Sequence, residues 1–169
     1  MLGTKIQDAF NRQMNAEFHS SFLYLSMSAY LQALNLKGIA HWMRLQAEEE
    51  HAHAMKFFDF INHRGGEVRL VEVAAPSAKW DSPLAALEAA SQHECKITGD
   101  INELVDLAAA HKDHASHAFL HWFVTEQVEE EAAVQEIRDK LKLGGDSGAG
   151  LLLIDHGLAQ RTPHATGDA

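Results

Sequence analysis

Four long stretches of this chain place apolar residues three and four apart, and in each a Glu, Gln or His interrupts that spacing near the middle. The spacing is that of one face of an α-helix. Proline is scarce and Ala, Leu and Glu are abundant, which favours helix throughout. The pattern predicts helix A from Thr4 to about Leu34, B from about Ile39 to His63, C from Pro83 to about Ala110, and D from just after Asp113 to about Leu143. Thr4-Lys5-Ile6-Gln7 reads as a capping box, Asp81-Ser82-Pro83 as a helix start, and Gly65-Gly66 and Gly144-Gly145 as stops. A short apolar piece, 151–159, predicts a fifth helix, and the last residues a flexible tail over 161–169.

Short turns join A to B and C to D, so each pair predicts an antiparallel hairpin. The B–C connection, 65–81, carries no helical frame. Extended, it spans up to roughly 55 Å, enough to run the length of a helix and start C at the opposite end. Its other reading is a lid or binding loop. The simplest architecture is all-α, one domain over 1–160, a four-helix bundle with one long crossover.

The interrupting residues carry the chemistry. The frames are Phe10, Met14, Glu17, Ser21, Tyr24 in A; Met43, Gln46, Glu50, His53, Phe57 in B; Ala90, Glu94, Ile97 in C; and Phe123, Gln127, Glu130, Val134 in D. A buried carboxylate without a partner takes up a proton or costs many kcal/mol. Lys and Arg are absent from these frames. Glu17, Glu50, Glu94 and Glu130 together carry four negative charges, which two divalent ions match. Glu50-x-x-His53 puts carboxylate and imidazole one turn apart on one face. Such a donor set, without thiolate, suits iron, manganese or zinc better than copper(I). The rival reading is a helical face with a few misassigned polar residues.

Composition removes other classes. The chain of 169 residues has one cysteine, Cys95, which excludes a disulfide framework and a thiolate-held cluster within it. The formal charge of −10 argues against nucleic acid and anionic membranes as partners. No apolar stretch is long enough to span a bilayer and no secretory signal is visible, so a cytoplasmic location is expected.

At Glu17 with Tyr24, at Glu48-Glu49-Glu50-His51-Ala52-His53, at His93-Glu94 and at Glu126-Gln127-Val128-Glu129-Glu130, the sequence resembles the non-haem prokaryotic ferritins. The resemblance implies a ferritin-like bundle with the short fifth helix. It implies iron storage with ferroxidase activity, Fe(II) being oxidised by O2 or H2O2 at a di-iron centre and deposited as Fe(III) mineral inside a homo-oligomeric shell of twenty-four subunits. On this resemblance Glu17, Glu50 and His53 hold one iron and Glu50 bridges. Glu94 and Glu130 hold the second, with Gln127 nearby. A third iron position uses Glu49, Glu126 and Glu129 and shares Glu130. The other reading of Glu126, Glu129 and Glu131 is a solvated helix face.

Tyr24 and Trp122 are candidate electron donors beside the site, Tyr24 the stronger, and each is also an ordinary bundle aromatic. Bacterioferritins place a haem-ligating methionine where this chain has His51, so no haem is expected. His114, His117 and His121 fall where ferritins line their three-fold channels, and read equally as a solvated face. Cys95 reads as packing. The alternatives are a haem-containing bacterioferritin-like protein, which a Soret band would reveal, and a di-iron peroxidase of the rubrerythrin type, which usually carries a cysteine-held iron domain.

Overall fold

The computed structural model describes residues 2–145 and 147–163. Five helices account for most of them: α1 (Thr4–Ala33), α2 (Lys37–His63), α3 (Pro83–Ala110), α4 (His114–Gly144) and α5 (Gly148–Leu158). Helices α1 and α2 pack as one hairpin, α3 and α4 as another, and α1 meets α3 across the bundle. α5 lies against α2 and α4. The four-helix bundle with a long crossover and a short last helix is as the periodicity predicts.

The helix ends have local causes. Gly65 and Gly66 close α2 by donating to the Asn62 and Ile61 carbonyls, at 2.9 Å each, with Gly65 at φ +67°. Asn35 and Lys112 take the same left-handed position, at φ 62° and 53°, in the two short turns. Ser82 accepts the Ala85 amide at 3.0 Å with Pro83 opening α3, and Asp113 accepts the Ser116 amide at 3.1 Å to start α4. Ser147 accepts the Gly150 amide, so α5 begins at Gly148, three residues before the predicted apolar run.

The capping box expected at Thr4–Gln7 does not form. Gly3 stands at the cap of α1 without a side-chain bond. Gln7 instead turns its amide oxygen to the Glu67 backbone N–H at 2.9 Å. That bond opens a ladder that fastens the crossover to α1. Asn11 donates to the Glu67 carbonyl at 2.9 Å and accepts the Arg69 amide at 2.6 Å. Asn15 donates to the Arg69 carbonyl at 2.8 Å and accepts the Val71 amide at 3.1 Å. Further along, Ser26 donates to the Ser77 carbonyl. Side chains thus supply the partners that a neighbouring strand would supply in a sheet.

The apolar core falls into two clusters. One gathers Phe10, Met14, Phe57, Ile97, Leu120 and Phe123, the other Met27, Leu31, Met43, Leu87, Val134 and Ile137. Glu17, Glu50, His53, Glu94, Gln127 and Glu130 lie between the two sets, one or two from each bundle helix. Each fully buried side chain of this size contributes about 1.5–3 kcal/mol relative to exposure, so two well-filled clusters can carry a polar layer between them. Cys95 departs from its expected place: it follows Glu94 but is exposed at the surface.

α5 is held at the start of α2. Asp155 Oδ1 accepts the Ile39 amide at 2.8 Å and so caps a helix that lacks a cap of its own. Gly38 permits this approach, because a Cβ there would lie 1.7 Å from the Asp155 carbonyl oxygen. Beyond α5, Arg161 folds back on α2, although the sequence pattern assigns it to the tail. The rest of that tail, 164–169, lies outside the described residues.

Candidate metal centre

Six of the ten site residues read from the sequence form the buried polar layer: Glu17, Glu50, His53, Glu94, Gln127 and Glu130 are each at most 5% exposed. Glu17 comes from α1, Glu50 and His53 from α2, Glu94 from α3, and Gln127 and Glu130 from α4. One ligand atom from each of Glu17, Glu50 and His53 lies within 4.8 Å of the others, as does one from each of His53, Glu126 and Glu130. His53 Nδ1 stands 3.5 Å from Glu50 Oε2 and its Nε2 3.9 Å from Glu126 Oε1.

Four carboxyl groups here are driven toward their neutral forms. Burial raises the pKa of Glu17 well above the ordinary range, and Glu50 beside it adds to the rise. Burial does the same to Glu50 and Glu130, whose next causes are neighbouring carboxylates, Glu94 for Glu50 and Glu50 for Glu130. Glu94 is raised by burial against the opposing effect of the Tyr24 and Gln127 bonds. No Lys or Arg bonds directly to Glu17, Glu50, Glu94 or Glu130 among the described residues, and Glu17 Oε2 is buried without a hydrogen-bond partner. A cluster of this kind is stable when cations neutralise it. The donors are carboxylate oxygens and one imidazole, which fits iron-type or zinc-type ions.

A ring of neutral donors holds the carboxylates in place. Gln13 donates to Glu17 at 2.8 Å. Gln46 donates to Glu130 and, at 3.4 Å, to Glu50. Tyr24, fully buried, donates its hydroxyl to Glu94, and Gln127 reaches Glu94 Oε2 at 3.3 Å. Trp122 is 39% exposed, lies edge-on to His53 at 5.3 Å, and carries the Lys56 ammonium 4.3 Å from its ring centre. The site reading passed over Gln13 and Gln46 as partners. A signal was available: each Gln precedes its Glu by four residues, one helical turn.

The residues expected at a third position are not gathered into one cluster among the described residues. Glu126 is near His53, but the clustered donors include neither Glu49 nor Glu129 among the described residues. Glu129 is exposed on α4. Glu49 faces Arg161, whose Nη2 donates to its Oε2 at 2.5 Å, while Glu49 Oε1 is buried without a partner. His51 is exposed on α2 against Phe18, at 5.5 Å between rings. His117 and His121 lie 6.5 Å apart on α4, and His114 lines a surface cleft beside Arg64 and Asp113.

The chain therefore combines an all-α bundle with a mid-bundle layer of buried carboxylates and imidazole. The sequence profile of the ferritin-like domain matches residues 7–144. A bacterial non-heme ferritin of Bacteroides fragilis is 45% identical over 161 residues, 95% of this chain and all of the relative. That of Escherichia coli O6:H1 is 38% identical over 159 residues, 94% of this chain and 96% of the relative. The solved open pore ferritin from Archaeoglobus fulgidus superposes with a TM-score of 0.95 at 48% identity, covering 96% of this chain and 99% of that one. The chain belongs to the ferritin family.

Proposed function

We propose that this protein stores iron, taking Fe(II) as substrate at the mid-bundle carboxylate layer, oxidising it there and passing Fe(III) to a mineral inside a homo-oligomeric shell. The observation that carries this reading is the set of four buried, mutually repelling carboxyl groups beside His53, with Glu17 Oε2 unpartnered. Glu17, Glu50 and His53 hold one ferrous ion; Glu50, Glu94 and Glu130 hold a second, with Gln127 beside it. Carboxylates favour Fe(III) over Fe(II), which promotes electron release. Two ferrous ions each lose one electron, and O2 takes both electrons and two protons to give H2O2. With H2O2 as oxidant, the same two electrons and two protons yield two water molecules.

The residues around the substrate position supply the rest. Burial favours the neutral form of these carboxyl groups until cations enter, so loading expels protons. Tyr24, through its bond to Glu94, is placed to fix that ligand and to lend an electron. The second ion, with the Gln127 amide beside it where the first has the His53 imidazole, is the readier to leave. Glu126 and Glu129 extend the carboxylate set outward along α4 as an onward path, and Glu49 of α2, with Oε1 unpartnered, is the remaining donor of the third position.

The test is aerobic loading with Fe(II) followed by size-exclusion chromatography, with iron counted in each peak. Twenty-four copies of an 18.7 kDa chain elute near about 450 kDa, and hundreds of irons in that peak support storage. About two irons per chain in a small oligomer would mean a di-iron enzyme and would refute storage. Iron-free peaks throughout would refute the metal reading itself.

A further inference from the structure

The residues that follow α5 reach back to the metal layer through a single side chain. Arg161 and Glu49 are each 16% exposed in their side chains, and the guanidinium is held on four sides. Nη2 donates to Glu49 Oε2 at 2.5 Å. Nη1 donates to Gln46 Oε1 at 3.1 Å and to the Trp42 carbonyl at 3.3 Å. The plane lies over the Trp42 ring, 4.6 Å from its centre. His41 Nε2 donates to the Arg161 carbonyl at 2.9 Å, which fixes the backbone as well. So many bonds on a partly buried cation define one position for it.

Two consequences follow for the layer. Glu49 bears a cation already, and only its Oε1 is left without a partner. Gln46 is oriented: with its carbonyl oxygen taken by Arg161, its NH2 must face Glu130 and Glu50. An amide in that orientation steadies carboxylates but offers no lone pair to a metal ion.

We propose that Arg161 is a tethered counter-cation that occupies Glu49 Oε2 and the Gln46 oxygen, so that Glu49 offers an ion only Oε1, against the adjacent positive charge, unless the guanidinium is displaced. Arg161 is a positioning residue. The inference rests on the reading of the layer as a metal centre. It links occupancy beside the paired site to the seating of α5, because Asp155 and Gly38 hold the segment that carries Arg161.

The experiment titrates the intact assembly with Zn(II), a redox-inert probe, in the wild type, Arg161→Gln, Arg161→Lys and the double variant Arg161→Gln/Glu49→Gln. Bound zinc is counted by dialysis and elemental analysis, and its affinity by calorimetry. Arg161→Gln should hold about one further zinc per chain, or bind its weakest site on the order of tenfold more tightly, the size of an ordinary coupling between sites. The gain should vanish in the double variant, and Arg161→Lys should stay near the wild type. Zinc at the paired centre in every variant with no gain in Arg161→Gln overturns this inference alone, even if that variant melts lower. A gain that survives Glu49→Gln overturns it as well. No zinc bound by any of the proteins overturns both this inference and the metal reading beneath it.

Discussion

Asp155 of α5 accepts the backbone amide of Ile39 at 2.8 Å, so the last helix provides the cap that the second helix lacks. Removing such a cap costs about 1 kcal/mol. Asp155→Ala should lower the melting temperature by about 2–4 °C in a chain of this length, and Asp155→Asn, which keeps an acceptor, by less. Thermal unfolding by circular dichroism checks this. An Ala variant as stable as the wild type would mean that water or another group caps α2 equally well.

The four raised carboxyl groups give the metal-free protein a stress that one neutral substitution relieves. Glu50 interacts electrostatically with Glu17, Glu94 and Glu130 together. Glu50→Gln should therefore raise the stability of the metal-free chain at neutral pH by about 1–3 kcal/mol while losing the stabilisation that zinc gives the wild type. Calorimetric scans with and without zinc decide the matter. If the variant is destabilised without metal and still stabilised by zinc, the layer is not a cation site.

The same groups set a pH dependence with a definite sign. An acid whose folded pKa is raised binds more protons folded than unfolded, so its contribution is present at low pH and lost as pH rises past about 4.3, the unfolded value for Glu. Glu17, Glu50, Glu94 and Glu130 all lie on that side. Metal-free protein should lose stability as pH climbs from that value toward neutrality. Zinc should flatten the loss and release protons on binding, which calorimetry in buffers of different ionisation enthalpy measures. Proton-neutral binding at pH 6 would count against it.

Asp113 behaves in the opposite sense. The Arg64 guanidinium grips it through two bonds of 3.0 Å and holds its carboxyl below the usual range. Its contribution is present above the unfolded value of about 3.9 and fades as pH falls through the lower folded value. Asp113 also caps α4, and the Arg64 carbonyl receives the Leu2 amide at 3.1 Å, so three chain segments meet there. Asp113→Ala should cost about 1–3 kcal/mol at pH 7 and much less at pH 3, read from urea midpoints at the two values. An equal loss at both would show that packing, not the charge, matters at this corner.

The bundle and the layer were legible because both rest on periodicity. The frames that bury Phe10, Phe57, Ile97 and Phe123 also carry Glu17, Glu50, Glu94 and Glu130, so one pattern announces fold and ligands together. Helix stops at Gly65 and starts at Ser82 were legible because the cause is local. Contacts made by tertiary docking had no such signature. Arg161 reads as tail because nothing nearby in sequence shows that Asp155 will seat α5 on α2. The capping box at Thr4 failed because Gln7 found a distant backbone partner in Glu67. The resemblance makes Glu49 a ligand candidate, and no local pattern shows that a cation 112 residues away will bond to it.

The rungs at Asn11 and Asn15 join two different repeats. Four residues of helix advance about 6 Å, and two residues of extended chain about 6.6 Å. The match is close enough for successive turns of α1 to meet every second residue of the crossover, at Glu67, Arg69 and Val71. The crossover therefore has a register, as a sheet strand does. A deletion of one residue near position 70 would turn the bonding edge of the chain away from α1, whereas a deletion of two would let it re-engage one turn along. In amide exchange the segment should show alternation, with the protons at Arg69 and Val71 slow and that at Leu70 fast, a strand's protection pattern in a protein built from helices.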